Sequence, residues 1–248
     1  VTPYAERLKN RNNVGSGLYN GMIYPIRNYQ VRGTIWYQGE SNAGNTSRYA
    51  ELVSSLITNW RELWNMPEMP FLLMQLPNFM QKHDKPTDSG WARIREAQLQ
   101  AFKTIPNTAL AVTYDVGEWN DIHPLNKKDM AKRLFLGARK VVYGEKLVYA
   151  GPVYKDMKVE GNKIIITFTE TGRGLMAKGG ILKHFAIAGE DRQFVWADAV
   201  IRGNKVIVSS KDVKQPVAVR YAWSDNPEDA NLCNKEGLLA SPFRTDNW

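Results

Sequence analysis

The chain holds 248 residues, 43% of them hydrophobic, with eight Trp and eleven Tyr, which is core material for one large domain or two small ones. Its net charge of +8 is spread along the sequence without a long basic cluster, so the basic surface reads as solvated and no nucleic-acid partner is expected. No apolar run is long enough to span a bilayer, so no membrane partner is expected, and the single cysteine, Cys233, excludes an internal disulfide, a CxxC redox pair and a cysteine-rich zinc site. The start, Val1-Thr2-Pro3-Tyr4, lacks a Met, a basic stretch and an apolar stretch, and reads as that of a mature, processed or excised chain.

From about Gly17 to Gly144 strand and helix patterns alternate. Val31 to Tyr37 is an apolar run of strand length. Tyr49, Leu52, Val53, Leu56, Ile57, Trp60, Leu63 and Trp64 recur at helical spacing, with Thr46 or Ser47 as the expected cap. A second strand is expected within Pro70 to Pro77. It is followed by a helix with Ile94, Ala97, Gln98, Ala101, Phe102 and Ile105 on one face. Thr108 to Tyr114 is the third strand. The helix after it starts near Asn126, capped with Asp129 three residues on, and buries Met130, Leu134, Ala138, Val141 and Val142. Three strands with intervening helices predict parallel pairing and right-handed crossovers. Doubly wound sheets usually carry five or more strands, so the first one or two are expected to lie before Val1.

After Gly144 the period changes. Lys163 to Thr169, His184 to Ala188, Gln193 to Trp196, Lys205 to Ser209 and Val217 to Trp223 are short strand-like runs, several divided by turns such as Glu160-Gly161-Asn162. The expected organisation is an α/β domain over residues 1–145 and a sandwich-like antiparallel β domain over 146–248, ending in an ordered irregular tail from Asn226.

Two polar segments fall where a parallel sheet places its ligand site, beyond the carboxyl ends of strands. One is Trp36-Tyr37-Gln38-Gly39-Glu40-Ser41-Asn42-Ala43, the other Asp121-Ile122-His123-Pro124. Amide, carboxylate, hydroxyl and imidazole groups gathered there suggest acyl-transfer chemistry. A carboxylate near an imidazole fixes its tautomer and stabilises the imidazolium formed in general-base catalysis, so Asp121 and His123 are catalytic candidates. Asp-x-His can equally cap the following helix, and spacing alone leaves both readings open. His83 and His184 read as structural. Asp115, Glu118, Asp121 and His123 could ligate a metal, yet no second histidine stands at metal-binding helical spacing, so no metal is expected. Ser41 sits in a near Gly-x-Ser-x-Gly sequence, but that motif needs a sharp strand-to-helix turn, and here a relaxed polar loop precedes the helix. Gln38 is a better donor than Ser41 is a nucleophile, and Gly39 permits close backbone approach.

Leu18-Tyr19-Asn20-Gly21-Met22-Ile23, Gly33 to Ala43, Asp121 to Pro124 and Ser241-Pro242-Phe243-Arg244-Thr245 together resemble the sialate O-acetylesterases, members of the Ser-Gly-Asn-His hydrolase superfamily. The resemblance covers nearly the whole chain. It implies a flavodoxin-like three-layer parallel sheet, present here in part, followed by a smaller antiparallel β domain. It also implies a serine esterase acting on an O-acetylated sugar, without a cofactor, in a secreted or periplasmic setting. Asp121 and His123 would be the acid–base half of the triad, and Gln38 an oxyanion or substrate contact. Glu40 and Asn42 would either share that contact or hold the loop together. The family's nucleophile lies in a Gly-Gln-Ser-Asn motif, which this sequence does not contain. The serine is therefore expected on an upstream segment of the same protein, and this chain alone is expected to be inactive. The rival readings are a deacetylase of plant polysaccharide such as xylan and a non-catalytic carbohydrate-binding module.

Overall fold

In the computed structural model, which describes residues 15–248, the three amino-terminal apolar runs pair in parallel. The first 14 residues of the expected first domain lie outside the described residues. Strand β1 (Thr34–Trp36) sits beside β2 (Phe71–Met74), and β2 beside β3 (Thr108–Ala111), with Ile35 opposite Leu72 and Leu72 opposite Ala109. All four residues of β2 and of β3 are buried, as expected for strands covered on both faces.

The covering helices are α1 (Tyr49–Leu63), α2 (Gly90–Thr104) and α3 (Lys127–Val141). Phe71 and Leu73 join Tyr49, Val53 and Ile57 of α1 and Ile94 and Ala97 of α2 in one cluster. Leu72 and Met74, on the opposite face by strand alternation, join Met130 and Leu134 of α3. The result is three layers, helix on sheet on helix. Each such fully buried apolar side chain contributes about 1.5–3 kcal/mol relative to exposure. Close packing of α3 requires Gly137, since a Cβ there would stand 2.7 Å from that of Ala109.

The expected caps divide. Asn126 accepts from the backbone N–H of Asp129 at 3.2 Å, as its spacing indicates. Helix α1 instead begins after Arg48 without a side-chain cap, so neither Thr46 nor Ser47 fills that role. Leu52, assigned to the buried face, is 49% exposed, and Arg61 lies inside in its stead. Its guanidinium donates to the carbonyls of Met69 at 3.0 Å and Pro106 at 2.7 Å, which satisfies a charge that the helical period alone would not place inside.

From Val153 onward all strand pairing is antiparallel. One sheet is β4 (Val153–Glu160), β5 (Lys163–Thr169), β10 (Lys205–Ser209) and β9 (Asp198–Arg202). A second runs β13 (Phe243–Arg244), β11 (Ala218–Tyr221), β7 (Phe185–Ala188) and β8 (Val195–Trp196). A two-stranded ribbon joins β6 (Leu175–Ala177) to β12 (Leu232–Asn234). The inward residues Ile164, Ile166, Val206, Val208, Ile187, Val219, Tyr221 and Phe243 form their common core. Val112 and Tyr114, just past β3, belong to that same core, so the two halves share buried surface.

Buried hydrogen bonds strengthen this junction. Arg95 of α2 is fully buried and donates to the carbonyls of Leu76, Pro77 and Ser224 at 2.7 Å each and of Asp225 at 3.0 Å. Burial pushes its guanidinium down to about 9, which still leaves it charged at neutral pH. Gln75 donates to Ser241 Oγ at 2.8 Å, and Arg244 pairs with Glu96 at 2.9 and 3.0 Å. The Ser241 to Thr245 motif is thus the clasp of the carboxyl-terminal segment on β2 and α2. Among the described residues, no helix is long and apolar enough to cross a membrane.

Candidate active site

The loop after β1 is held from below. Tyr49, buried at the start of α1, donates its hydroxyl to the Gln38 carbonyl at 2.6 Å and lies 3.1 Å from Gln38 Oε1. Gln98 of α2 donates to the same carbonyl at 3.0 Å. The Gln38 amide nitrogen in turn donates to Asn42 Oδ1 at 2.9 Å, which leaves the Asn42 NH2 directed away from this bond. Gly39 has φ 156° and ψ −18°, and a Cβ there would lie 2.7 Å from Ile94 Cγ2. Both conformation and space therefore require glycine. A turn of 3₁₀ helix, Glu40–Asn42, follows, so Ser41 sits on a helical turn and is exposed.

The loop after β3 is built differently. Glu118 and Asp121 form an isolated antiparallel bridge, with Trp119 and Asn120 at its tip. Asp121 Oδ1 accepts the backbone N–H of His123 at 2.8 Å, and His123 Nδ1 lies 3.7 Å from the same oxygen. That separation is an ion-pair distance, longer than a hydrogen bond. The His123 side chain is 88% exposed and that of Asp121 48%. Both therefore face solvent from the carboxyl edge of the sheet. Pro124 disfavours helical backbone at His123, the residue before it, and α3 starts only after Asn126.

Between these loops lies the one after β2. Asn78 is 1% exposed and accepts from the Gly117 N–H at 2.7 Å, while its own amide donates to Asn226 and Glu228 at 3.2 Å each. A Cβ on Gly117 would meet the Asn78 carbonyl at 2.3 Å, so Gly117 is small because Asn78 sits against it. Asn78 thereby fixes the root of the Asp121–His123 loop against the β-rich half. Just past β1, burial first, then the charges of Glu40 and Glu118, raise the Tyr37 hydroxyl well above the ordinary tyrosine range. Its O–H is therefore neutral, and it is buried without a hydrogen-bond partner among the described residues.

The other candidates settle elsewhere. Asp115 is taken by Arg133 in a two-pronged pair at 2.5 and 2.8 Å, and Glu118 receives the Leu125 N–H at 3.2 Å. Among the described residues no three His, Cys, Asp or Glu side chains are grouped to hold a metal. Ser89 donates to Asp225 at 2.6 Å and His83 stands 3.9 Å from the same carboxylate. The carboxylate lies between hydroxyl and imidazole, so this chain of groups cannot activate the serine, which instead caps α2 through the Ala92 N–H. His184 packs edge-on against Trp196 with ring centroids 5.5 Å apart. Sequence reasoning missed Asn78, Arg95 and Tyr37. A buried asparagine or arginine leaves no periodic signal, although Asn78 directly after a strand-ending proline was a usable hint.

The class defined by fold and site is a mixed α/β protein with an exposed imidazole–carboxylate pair and a braced amide loop at the carboxyl edge of a parallel sheet. A family model described as carbohydrate esterase, sialic acid-specific acetylesterase, matches residues 5–134, and the chain belongs to that family. Sialate O-acetylesterase from Mus musculus is 32% identical over 92% of this chain and 47% of its own length. The Homo sapiens protein of that name is 33% identical over 92% of this chain and 48% of its own. A crystal structure of a carbohydrate acetylesterase from Xanthomonas citri superposes with a TM-score of 0.89 at 46% identity, covering 93% of this chain and 54% of that one. The chain spans about half the length of the curated relatives it matches.

Proposed function

We propose that this chain is the acid–base half of a secreted or periplasmic carbohydrate esterase that removes O-acetyl groups from sialic acid. The observation that carries the reading is the Asp121-Ile122-His123-Pro124 loop, which offers solvent an imidazole with a carboxylate 3.7 Å from its Nδ1. In the complete enzyme a serine hydroxyl attacks the acetyl carbonyl and His123 takes its proton. Asp121 orients the ring and stabilises the imidazolium, and the Gln38 amide with neighbouring backbone N–H groups receives the oxyanion. His123 then protonates the leaving sugar oxygen, and water, activated by the same imidazole, releases acetate. Glu40 and Asn42 either contact the sugar or hold the loop together, and Asn42 does accept from the Gln38 amide. Residues 146–248 act as an accessory β domain whose tail braces the site.

The serine comes from an upstream segment of the same protein. Supporting this, β1 is bonded on one side only among the described residues. Met22 and Tyr29 before it and Ile35 within it are 64%, 73% and 63% exposed. An open edge beside that much apolar surface is a site for a further strand. Without the serine, turnover by the 248-residue chain should fall by about 10⁶-fold. The test is acetate release by the complete protein from O-acetylated sialic acid and from acetylated xylan. Preference for the first supports the reading; preference for xylan moves the substrate to plant polysaccharide, and release from neither removes the activity.

A further inference from the structure

Beside the Asp121–His123 loop lies a groove of about 200 Å³ lined by Gln81, Lys82, Trp119, Asn226 and Glu228. Trp119 is 52% exposed, although indole is among the most apolar surfaces a protein can leave to water. It stands at the tip of the Glu118–Asp121 bridge, two residues from Asp121 and four from His123, so its position is tied to theirs. Also lining the groove, Lys82 is clamped between Glu228 at 2.5 Å and Asp229 at 3.0 Å. Glu228 also accepts from the buried Asn78 amide at 3.2 Å, the same side chain that anchors the root of the dyad loop through Gly117. Glu228 of the groove and the root of the dyad loop are thus held by one residue.

We propose that this groove is the subsite for the sugar ring that bears the scissile acetyl group, an inference that rests on the esterase reading above. An exposed indole sharing a groove with a fixed ammonium–carboxylate pair matches a pyranose, whose C–H face is apolar and whose rim of hydroxyls both donates and accepts. Lys82, the one cation lining the groove among the described residues, is already committed to two carboxylates. Its remaining N–H and the free lone pairs of Glu228 are left for ring hydroxyl groups. Trp119 is the platform and determines sugar selectivity; Lys82 and Glu228 set the ring's orientation.

The experiment compares kcat/KM of the complete enzyme on an O-acetylated sugar with that on p-nitrophenyl acetate, which has no sugar ring. For Trp119→Ala the ratio of the two should fall about tenfold, the scale of one stacking contact. The loss should lie mainly in KM, and Trp119→Phe should restore most of the ratio. A ratio unchanged in Trp119→Ala overturns the proposal. If the wild-type enzyme hydrolyses neither ester, the esterase reading fails by itself. Binding of N-acetylneuraminic acid or xylobiose, followed by intrinsic tryptophan fluorescence, then decides the subsite: a saturable change lost in Trp119→Phe supports it, and no change overturns it.

Discussion

The loops after β1 and β3 reach the same edge of the sheet but are held in opposite ways. Gln38 is braced by Tyr49 and Gln98 from two different helices, on a backbone that only Gly39 can follow. His123 is held through its own backbone, its ring 88% exposed beside one carboxylate oxygen. The difference follows from the chemistry proposed for each. An oxyanion donor stabilises developing charge best when it needs no reorganisation, so its surroundings are fixed in advance. A general base must approach a hydroxyl supplied from elsewhere, so it stands free until that partner arrives.

Substitutions on the two loops should therefore fail differently. In the complete enzyme Asp121→Asn should lower kcat by about 10⁴-fold with little change in melting temperature, because it disturbs the tautomer of an exposed ring. Gln38→Ala should lower kcat by a smaller factor, about 10²–10³, as loss of one oxyanion donor does. A Gln38→Ala enzyme with normal turnover would remove the oxyanion role. Gly39→Ala should act on the scaffold: overpacking against Ile94 costs about 1–3 kcal/mol, visible in a urea melt of the 248-residue chain. A melt unchanged by that methyl would mean the β1 loop is not braced as described.

The smallest effect lies away from both loops. Burial lowers the His184 pKa below its ordinary 6.5, so the folded state binds a proton less readily than the unfolded chain. The stability associated with the neutral ring is complete above about pH 6.5 and is lost as pH falls through the lower, folded value. His184→Asn keeps a residue type that tolerates the positive φ of 61° found there. The acid side of its melting-temperature profile should be flatter than that of the wild type. A parallel profile would assign the acid sensitivity to other groups.

Much of this layout was legible in the sequence, for reasons that can be named. Strands β2 and β3 showed as apolar runs because they are covered on both faces, while β1 showed as one although Ile35 is exposed. Strands β5 and β10 matched residue for residue, since Ile164, Ile166, Val206 and Val208 alternate cleanly inward. Strand β4 was missed because most of it faces solvent and a register shift between Tyr154 and Asp156 breaks its alternation. The tail from Asn226 was expected to be irregular, yet it contains β12 and β13 and buries Leu232, Cys233, Asn234 and Phe243. Its strands are two and three residues long, too short for any period to show. The candidate loops were legible as polar interruptions after strands. Their bracing was not, because Asn78, Arg95 and Gln98 act through carbonyls and amides far away in sequence.

The central claim is that His123 is the base and that the nucleophile is not the serine of the β1 loop. The most direct measurement is kcat of the complete enzyme on p-nitrophenyl acetate for His123→Ala and Ser41→Ala side by side. Loss of about 10⁴-fold or more in His123→Ala, with turnover in Ser41→Ala within a few-fold of wild type, is the result this account predicts. Retained turnover in His123→Ala, or its abolition in Ser41→Ala, would contradict it.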